Sequence, residues 1–593
     1  MKLSDYVADF LARQGIRHVF AVTGGASIHI IHSLDKHPDI EFVAPHHEQA
    51  GAMAADGYAR TTGDIGAVVA TSGPGATNLL TGICCAWFDS VPVLCLTGQV
   101  ATFRFRGDSG VRQMGFQETQ IVDIMQSVTK YAVQITDTAR IRYELEKAVH
   151  LARTGRPGPV LVDIPDDLQR AEIDPAALPG FEAACALPPR PSAQDLDRCI
   201  DLLSAARRPV IVPGWGVRLA GAETDVRRLI DRLSVPVCPS WGAMDLIPHD
   251  HPNFVGGFGT HGSRYGNFAV QNSDFVLCIG ARCSTRETGS PLDSWARGAA
   301  TVVVDIDAAE LRKFPAMGKP LDLPIEADAG AFARDMLARL ESNGPPDLTD
   351  WKARIAGWKR AYPACREAYR AEETVNPYVF VEALGACARP DEHFFIDTGC
   401  AVAWMMQGCA FREAQRAFHA FNNTPMGYAL PAAIGGSLAR GGGPVTCVAG
   451  DGSVMLNLQE LATARRHDLP IRLFVLNNDG YSMVRQTQDQ WLSGDYVATS
   501  PEGGLGFPDF AKTADAFGIP SLTLDRNADV AETVATVMRA TGPILCEVRI
   551  SHEHRVVPQS RFGRPIEDAD PPLPRDEFLR NMIVAPLDVS RAS

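Results

Sequence analysis

Short unbroken runs of apolar residues recur along this chain. Most stop at Gly, Pro, Asp or Asn, and stretches of mixed polarity separate them. In the first third these runs are residues 18–22 (HVFAV), 41–45, 66–71 and 91–98. Continuous apolarity, rather than alternation, marks strands covered on both faces, as in a parallel sheet between helical layers. Residues 26–34, 48–61 and 76–88 carry helical spacing between them, and GRPGPVLVDIP at 155–165 adds a closing strand. The same style resumes after LPPRPS (187–192), a Pro-rich linker, with strands predicted at 209–214, 235–240, 275–280 and 301–307. A second linker is predicted at 341–350. Strands at 393–398, 445–452, 471–478 and 543–550 and a helix at 456–466 follow. The pattern predicts an α/β chain of three doubly wound parallel-sheet domains, at 1–175, 192–340 and 365–553. A C-terminal tail, 554–593, is rich in Arg, Pro and Asp and is expected to be ordered only by packing on a neighbour.

Composition narrows the classes. A 593-residue chain that is 46% hydrophobic can fill several cores, which excludes wholly disordered and fibrous readings. The net charge of −14 provides no basic footprint for nucleic acid. No run of 18 apolar residues occurs, so no membrane span is expected. The amphipathic start, with Asp5 and Asp9, lacks the features of a signal peptide, and a cytoplasmic location is expected. The 14 cysteines contain no Cys-x-x-Cys pair and are read as buried reduced thiols.

Chemistry concentrates in the third block. Gly450-Asp451-Gly452 ends one predicted strand, and Asn477-Asn478, 24 residues further on, ends the next. Parallel sheets bind ligands at the carboxyl ends of their strands. Asp451 offers a hard anionic oxygen, Asn478 a neutral one and the Gly480 carbonyl a third, which suits Mg²⁺ carrying a diphosphate. Gly450 and Gly452 let backbone approach the phosphates. A lone Gly-Asp-Gly is equally a strand-end turn; the pair of motifs at two strand ends is not.

This arrangement resembles the thiamine diphosphate (ThDP) motif, and the likeness spans nearly the whole chain. Residues 46–60 (HHEQAGAMAADGYAR), 71–83, 89–100 and 115–119 (GFQET) resemble the pyrimidine-binding domain of the acetolactate synthase and pyruvate oxidase group. Residues 267–282 resemble its central domain. Residues 424–436 (TPMGYALPAAIGG) and 450–464 resemble its diphosphate-binding domain. The resemblance implies that Glu48 shares a proton with the aminopyrimidine ring, from an apolar pocket that would raise its pKa. It implies that Met426 props the cofactor in a bent shape. The cofactor is then bound by Gly450, Asp451, Gly452, Ser453, Asn478, Gly480, Tyr481, Ser482 and Met483, with Asp451, Asn478 and Gly480 on Mg²⁺. Phe116 and Gln117 would line the substrate side, and the Gly24-Gly25 turn would face the centre, Gly25 with its backbone toward substrate or cofactor. His46 and His47 either act directly or only fix the turn before Glu48.

In such enzymes the pyrimidine half of one subunit meets the diphosphate half of another, so an obligate homodimer or homotetramer is implied. The implied activity is decarboxylation of pyruvate to a two-carbon unit on ThDP, and its transfer to a carbonyl acceptor, a 2-keto acid. FAD is implied at Gly214, Gly216, Gly259, His261, Gly280, Arg282 and Asp305, although some relatives keep the fold without flavin. Two departures bear on the acceptor. Thr487 stands where acetolactate synthases carry Trp, and Thr285 stands where an Asp usually neighbours the acceptor-binding Arg, here Arg286. An opened pocket leaves a nucleotide-linked keto sugar as an alternative acceptor, and simple decarboxylation as a third outcome.

Overall fold

The structure is a computed structural model that describes residues 1–183, 187–340 and 346–591. Cys185 and the first five residues of the second predicted linker, 341–345, lie outside the described residues. The first sheet contains β1 (His18–Ala21), β2 (Glu41–Val43), β3 (Gly66–Ala70), β4 (Val93–Gln99), β5 (Tyr131–Gln134) and β6 (Val160–Pro165). Its order is β2-β1-β3-β4-β6-β5, and every pairing is parallel. Its inner strands are buried on both faces, as unbroken apolarity predicts. Ala67, Val69, Leu94 and Leu96 pack in one layer with Leu3, Leu11 and Leu145. Val68, Ala70 and Cys95 enter the opposite layer.

The central sheet holds β7 (Pro209–Pro213), β8 (Phe275–Ile279), β9 (Ala300–Asp305) and β10 (Leu323–Glu326), parallel in the order β10-β9-β8-β7. The third contains β11 (His393–Ile396), β12 (Arg416–Phe418), β13 (Val445–Gly450), β14 (Ile471–Asn477), β15 (Ser521–Leu524) and β16 (Ile544–Arg549). Its order, β12-β11-β13-β14-β16-β15, is that of the first sheet, again wholly parallel.

These two domains meet through helices Glu48–Thr62 and Ala429–Ala439. The second is buried almost all round, because it is sandwiched. A Cβ on Gly435 would sit 1.9 Å from the Ala54 carbonyl oxygen, and one on Gly57 would sit 2.3 Å from that of Ala432. On the other face, a Cβ on Gly436 would lie 2.0 Å from the Phe395 ring of β11. Glycine is what permits this approach.

Four expectations change; the helix expected at 456–466 covers only Glu460–Arg466. The run at 235–240 forms no full strand; Val237 only bridges Ile211 and Phe254. The stretch at 76–88 is two helices, Pro74–Asn78 and Leu80–Asp89. The tail needs no neighbour: it packs on its own chain. It forms the antiparallel pair β17 (Gln559–Ser560) and β18 (Ala569–Asp570), and buries Ile566 and Phe578 in the central core beside Phe268 and Trp358.

Candidate active site

Strand β13 ends at Gly450 and delivers Asp451 to the start of the one-turn helix Asp451–Val454. Asp451 is 2% exposed. Its Oδ1 accepts from Gly452 N at 2.6 Å, and its Oδ2 from Asn478 N at 3.1 Å and Gly480 N at 3.0 Å. Burial pushes its pKa up to about 6, against the pull of these three N–H donors. Asn478 follows β14, and its side-chain NH₂ donates to Ser482 Oγ. Its Oδ1 is buried and accepts from nothing. A buried carboxylate, bound by the backbone N–H of a residue whose own amide oxygen is left bare, offers a hard-oxygen donor set. Among the described residues, no three His, Cys, Asp or Glu side chains gather as a metal cluster. Any cation here would rest on one carboxylate, one amide oxygen and backbone carbonyls.

The neighbouring predicted residues converge. The Tyr481 ring lies against Gly452, where a Cβ would come within 2.1 Å of it, with Met426 Cε at 3.1 Å. Ser453 hydrogen-bonds Asp397. Ser482 opens helix Ser482–Trp491, and Met483 packs partly buried against the core. Thr487, half-buried on that helix, turns its hydroxyl back to the Met483 carbonyl at 3.2 Å.

Three residues outside the predicted set hold this half in place. Asp397, fully buried, accepts from Thr398 N, Gly427 N and Ala429 N at 2.9, 3.1 and 3.0 Å, and so fixes the turn after Met426. Asn457 Nδ2 donates to the Gly427 carbonyl at 2.7 Å. Arg485 donates to the carbonyls of Asp479 at 2.6 Å and Thr499 at 2.8 Å. A Cβ on Gly480 would lie 2.0 Å from that guanidinium.

The other half lies at the first sheet. Glu48 opens helix Glu48–Thr62, whose N-cap is His47: its Nδ1 accepts from Gln49 N at 3.0 Å. His47 thus fixes the turn, and His46 only donates its backbone N–H to Glu460. Glu48 is half-buried rather than sunk in an apolar pocket, and accepts from Asn78 Nδ2 at 2.9 Å. Gly75 lies beside it, and a Cβ there would come within 2.8 Å of Thr71 Cγ2 and 3.1 Å of Glu48 Oε1. Gln117 has left-handed backbone (φ 65°) and presses on Gly73, itself at φ 63°. Phe116 is 83% exposed. Their loop is held by the Glu118 carboxylate, which accepts from Arg106 N, Met114 N and Gly115 N. Gly25 has open space where a Cβ would go; the close approach is at Gly24, pressed on Thr71 at 2.5 Å.

The chain matches three family models: the N-terminal TPP binding domain of thiamine pyrophosphate enzymes over residues 1–126, their central domain over 196–336 and their C-terminal TPP binding domain over 397–548. It is 33% identical to an acetolactate synthase of Arthrospira platensis, across 94% of this chain and 96% of that protein. It is 36% identical to a probable chloroplastic acetolactate synthase 2 of Oryza sativa subsp. japonica, across 94% of this chain and 84% of the relative. The chain belongs to the acetolactate synthase-like family of ThDP-dependent enzymes.

In this family member the central domain carries an open cleft, bounded also by both other domains. Gly216, His261, Gly280, Arg282 and Asp305 line it; Gly214 and Gly259 do not. The glycines here also serve packing, since a Cβ on Gly214 would sit 2.3 Å from the Gly280 carbonyl. Both ring nitrogens of His261 and Nε1 of Trp215 are buried without partners. Burial, reinforced by Arg286, drives the His261 pKa down to about 3, so the ring is neutral. Arg286 stacks over Trp241 at 4.2 Å and lines this cleft, which Thr487 does not. Burial lowers its pKa to about 10, so it stays cationic at neutral pH. Among the described residues, no helix is long and apolar enough to cross a membrane.

Proposed function

We propose that this enzyme is a Mg²⁺-dependent decarboxylating carboligase that takes a two-carbon unit from pyruvate and transfers it to a second 2-keto acid. The observation that carries this reading is the unpartnered, buried Oδ1 of Asn478, the residue whose backbone N–H binds the Asp451 carboxylate. Bound ThDP would supply a nucleophilic thiazolium carbon that bonds the donor carbonyl and a cationic ring that takes up the electron pair released with CO₂, leaving the two-carbon unit nucleophilic toward the acceptor. Asp451, Asn478 and the Gly480 carbonyl would hold the cation that carries its diphosphate, with Gly450, Gly452 and Ser453 beside the phosphates. Arg485 keeps the carbonyl-bearing loop in register. Met426 and Tyr481 form the floor and wall of the cofactor site, with Ser482 and Met483 at the start of the adjoining helix. Glu48 would hold a proton at the aminopyrimidine nitrogen, and Gln117 would meet the substrate oxygen.

The half-buried state of Glu48 and the exposure of Phe116 support a site completed by a second subunit, in a homodimer or homotetramer. Val111 and Met114 on the same loop, and Leu456 beside the diphosphate half, are exposed too. Such surface is what an interface covers. For the central cleft we propose FAD. His261 and the Trp215 indole supply unpaired polar groups, and Gly216, Gly280, Arg282 and Asp305 would hold it. The described cysteines are all unpaired, which suits a reducing cytoplasm. Thr487 favours a second reading. A half-buried threonine in place of an indole leaves room for a bulkier, polar acceptor such as a keto sugar.

Product analysis tests the proposal. Purified enzyme with ThDP, Mg²⁺ and labelled pyruvate should form acetolactate as fast as it releases CO₂. Efficient transfer only to a keto sugar would move the assignment to the second reading. Release of acetaldehyde alone would overturn carboligation. Glu48→Gln should retain ThDP yet turn over at least ~10²-fold more slowly, and near-normal turnover would remove Glu48 from the chemistry.

A further inference from the structure

Asp89 closes helix Leu80–Asp89 of the first domain, yet most of its hydrogen bonds come from the third. Its carboxylate accepts from Phe421 N at 2.7 Å, Asn422 N at 3.1 Å and Asn422 Nδ2 at 2.6 Å. Arg60 Nη2 completes the set at 2.8 Å. Arg60 also binds Asp56, through Nε at 2.6 Å and Nη2 at 3.2 Å, and donates from Nη1 to the His419 carbonyl at 3.0 Å. Asp56 in turn accepts from the Tyr428 hydroxyl at 2.5 Å. The side chains of Arg60, Asp56 and Asp89 are essentially inaccessible to solvent.

Every third-domain group in this cluster belongs to residues 419–428, the segment that carries Met426. Its anchors lie on both sides of that methionine: His419, Phe421 and Asn422 before it, and Tyr428 after it. Between the anchors the backbone is unfavourable. Thr424 is held at φ 46° and Gly427 at φ 87°. A non-glycine residue in that region persists only where its surroundings over-determine it. A buried ionic cluster contributes little net stability compared with apolar packing, but its directional bonds fix geometry.

We propose that Asp89 is a positioning residue: with Arg60 and Asp56, it lets the first domain set the placement of Met426 in the cofactor site. The inference rests on Met426 being the cofactor prop.

A double-mutant cycle on the full-length holoenzyme tests it. Asp89→Asn keeps the shape but removes the charge that four donors share. The readouts are kcat, the KM for pyruvate, and ThDP affinity in Mg²⁺ by tryptophan fluorescence. Asp89→Asn should lower kcat or ThDP affinity by about tenfold, the scale of a sub-ångström misplacement, with KM for pyruvate within about twofold. Met426→Ala should do the same, and the double variant should be no worse than the poorer single. If Asp89→Asn does not fold, Asn422→Ala serves. Its side chain is exposed, and it should lose about threefold, a loss absent in the Met426→Ala background. Additive losses, or an unchanged kcat and affinity in the Asp89 and Asn422 variants, would overturn the inference alone. No effect of Met426→Ala would remove the prop assignment and the inference together.

Discussion

Two inactive variants should rescue each other if each cofactor lies between Glu48 of one subunit and Asp451 of another. In the single chain Glu48 is half-buried, with Asn78 as its hydrogen-bond partner, while Asp451 is enclosed by its own domain. Glu48→Gln removes the proton partner from one half. Asp451→Ala removes the carboxylate from the other. Neither touches the Gly57–Gly435 helix crossing that joins the domains within a chain, so both variants should fold. In a hybrid dimer built from one of each, one site carries both lesions and the other carries neither. One intact site of two predicts about half of the wild-type kcat. Co-expression with two different affinity tags and tandem purification gives the hybrid, and acetolactate formation at Mg²⁺ and ThDP concentrations that just saturate the wild type, where Asp451→Ala is inactive, gives the rate. If both halves of the site belonged to one chain, each site of the hybrid would carry a lesion. A verified hybrid with less than about a hundredth of wild-type activity, no better than the single variants, would refute the shared site.

Other predictions follow from single contacts. Asp451→Ala should raise the Mg²⁺ and ThDP concentrations needed for half-activity by about 10²-fold, read by titrating the apoenzyme; unchanged requirements would misplace the cation. Thr487→Trp should refill the opened volume, so rates with bulky ketone acceptors should fall relative to 2-keto acids; an unchanged acceptor profile would remove Thr487 from specificity. Gly435→Ala would place a methyl 1.9 Å from the Ala54 carbonyl and should cost about 1–3 kcal/mol in urea unfolding. Gly357→Ala, a helical glycine with nothing within 4 Å of its Cβ, should instead gain about 0.5–1 kcal/mol, so equal effects at the two positions would deny the tight crossing.

What the sequence shows of the fold depends on burial. The inner strands β3, β4, β6, β8, β13 and β14 are apolar and buried nearly throughout, and their runs mark them. Within the three parallel sheets, the strands absent from the sequence reading are β5, β10, β12 and β15, each at a sheet edge. An edge strand is covered less completely, and polar residues such as Gln134, Glu326 and Arg416 break its pattern. The site behaves likewise. Asp451 and Asn478 stand in long motifs at buried strand ends. Arg485 and Glu118 act through backbone carbonyls and N–H groups that only the folded loops bring together. Of Thr487 and Arg286, paired in the sequence reading as one acceptor pocket, only Arg286 lines the central cleft.

Asp397 had a signal in the sequence, and it explains why the site comes in halves. In a sheet ordered β2-β1-β3, the chain leaves β1 toward one side and β3 lies on the other, so a crevice opens at the carboxyl ends of β1 and β3. The first sheet puts Gly24 and Thr71 there, in contact. The third sheet repeats the order, so the same crevice lies beyond β11 and β13. Those strands end in Phe395-Ile396-Asp397-Thr398-Gly399 and Ala449-Gly450-Asp451-Gly452, two apolar runs that both close on Asp before Gly. Having read Asp451 at the end of β13, the same rule points to Asp397 at the end of β11. Its task differs because its surroundings do. Asp397 spends its oxygens on backbone N–H groups that shape the Met426 turn, whereas Asp451 is bound by the backbone N–H of a residue whose amide oxygen is left bare. Two sheets of one topology thus offer equivalent crevices, one bearing the Gly24 turn with Glu48 beyond β2, the other the cation cradle. Neither crevice alone holds both the Glu48 carboxylate and the oxygen set of Asp451 and Asn478, so the proposed site needs both crevices, and the hybrid dimer decides whether they come from one chain or two.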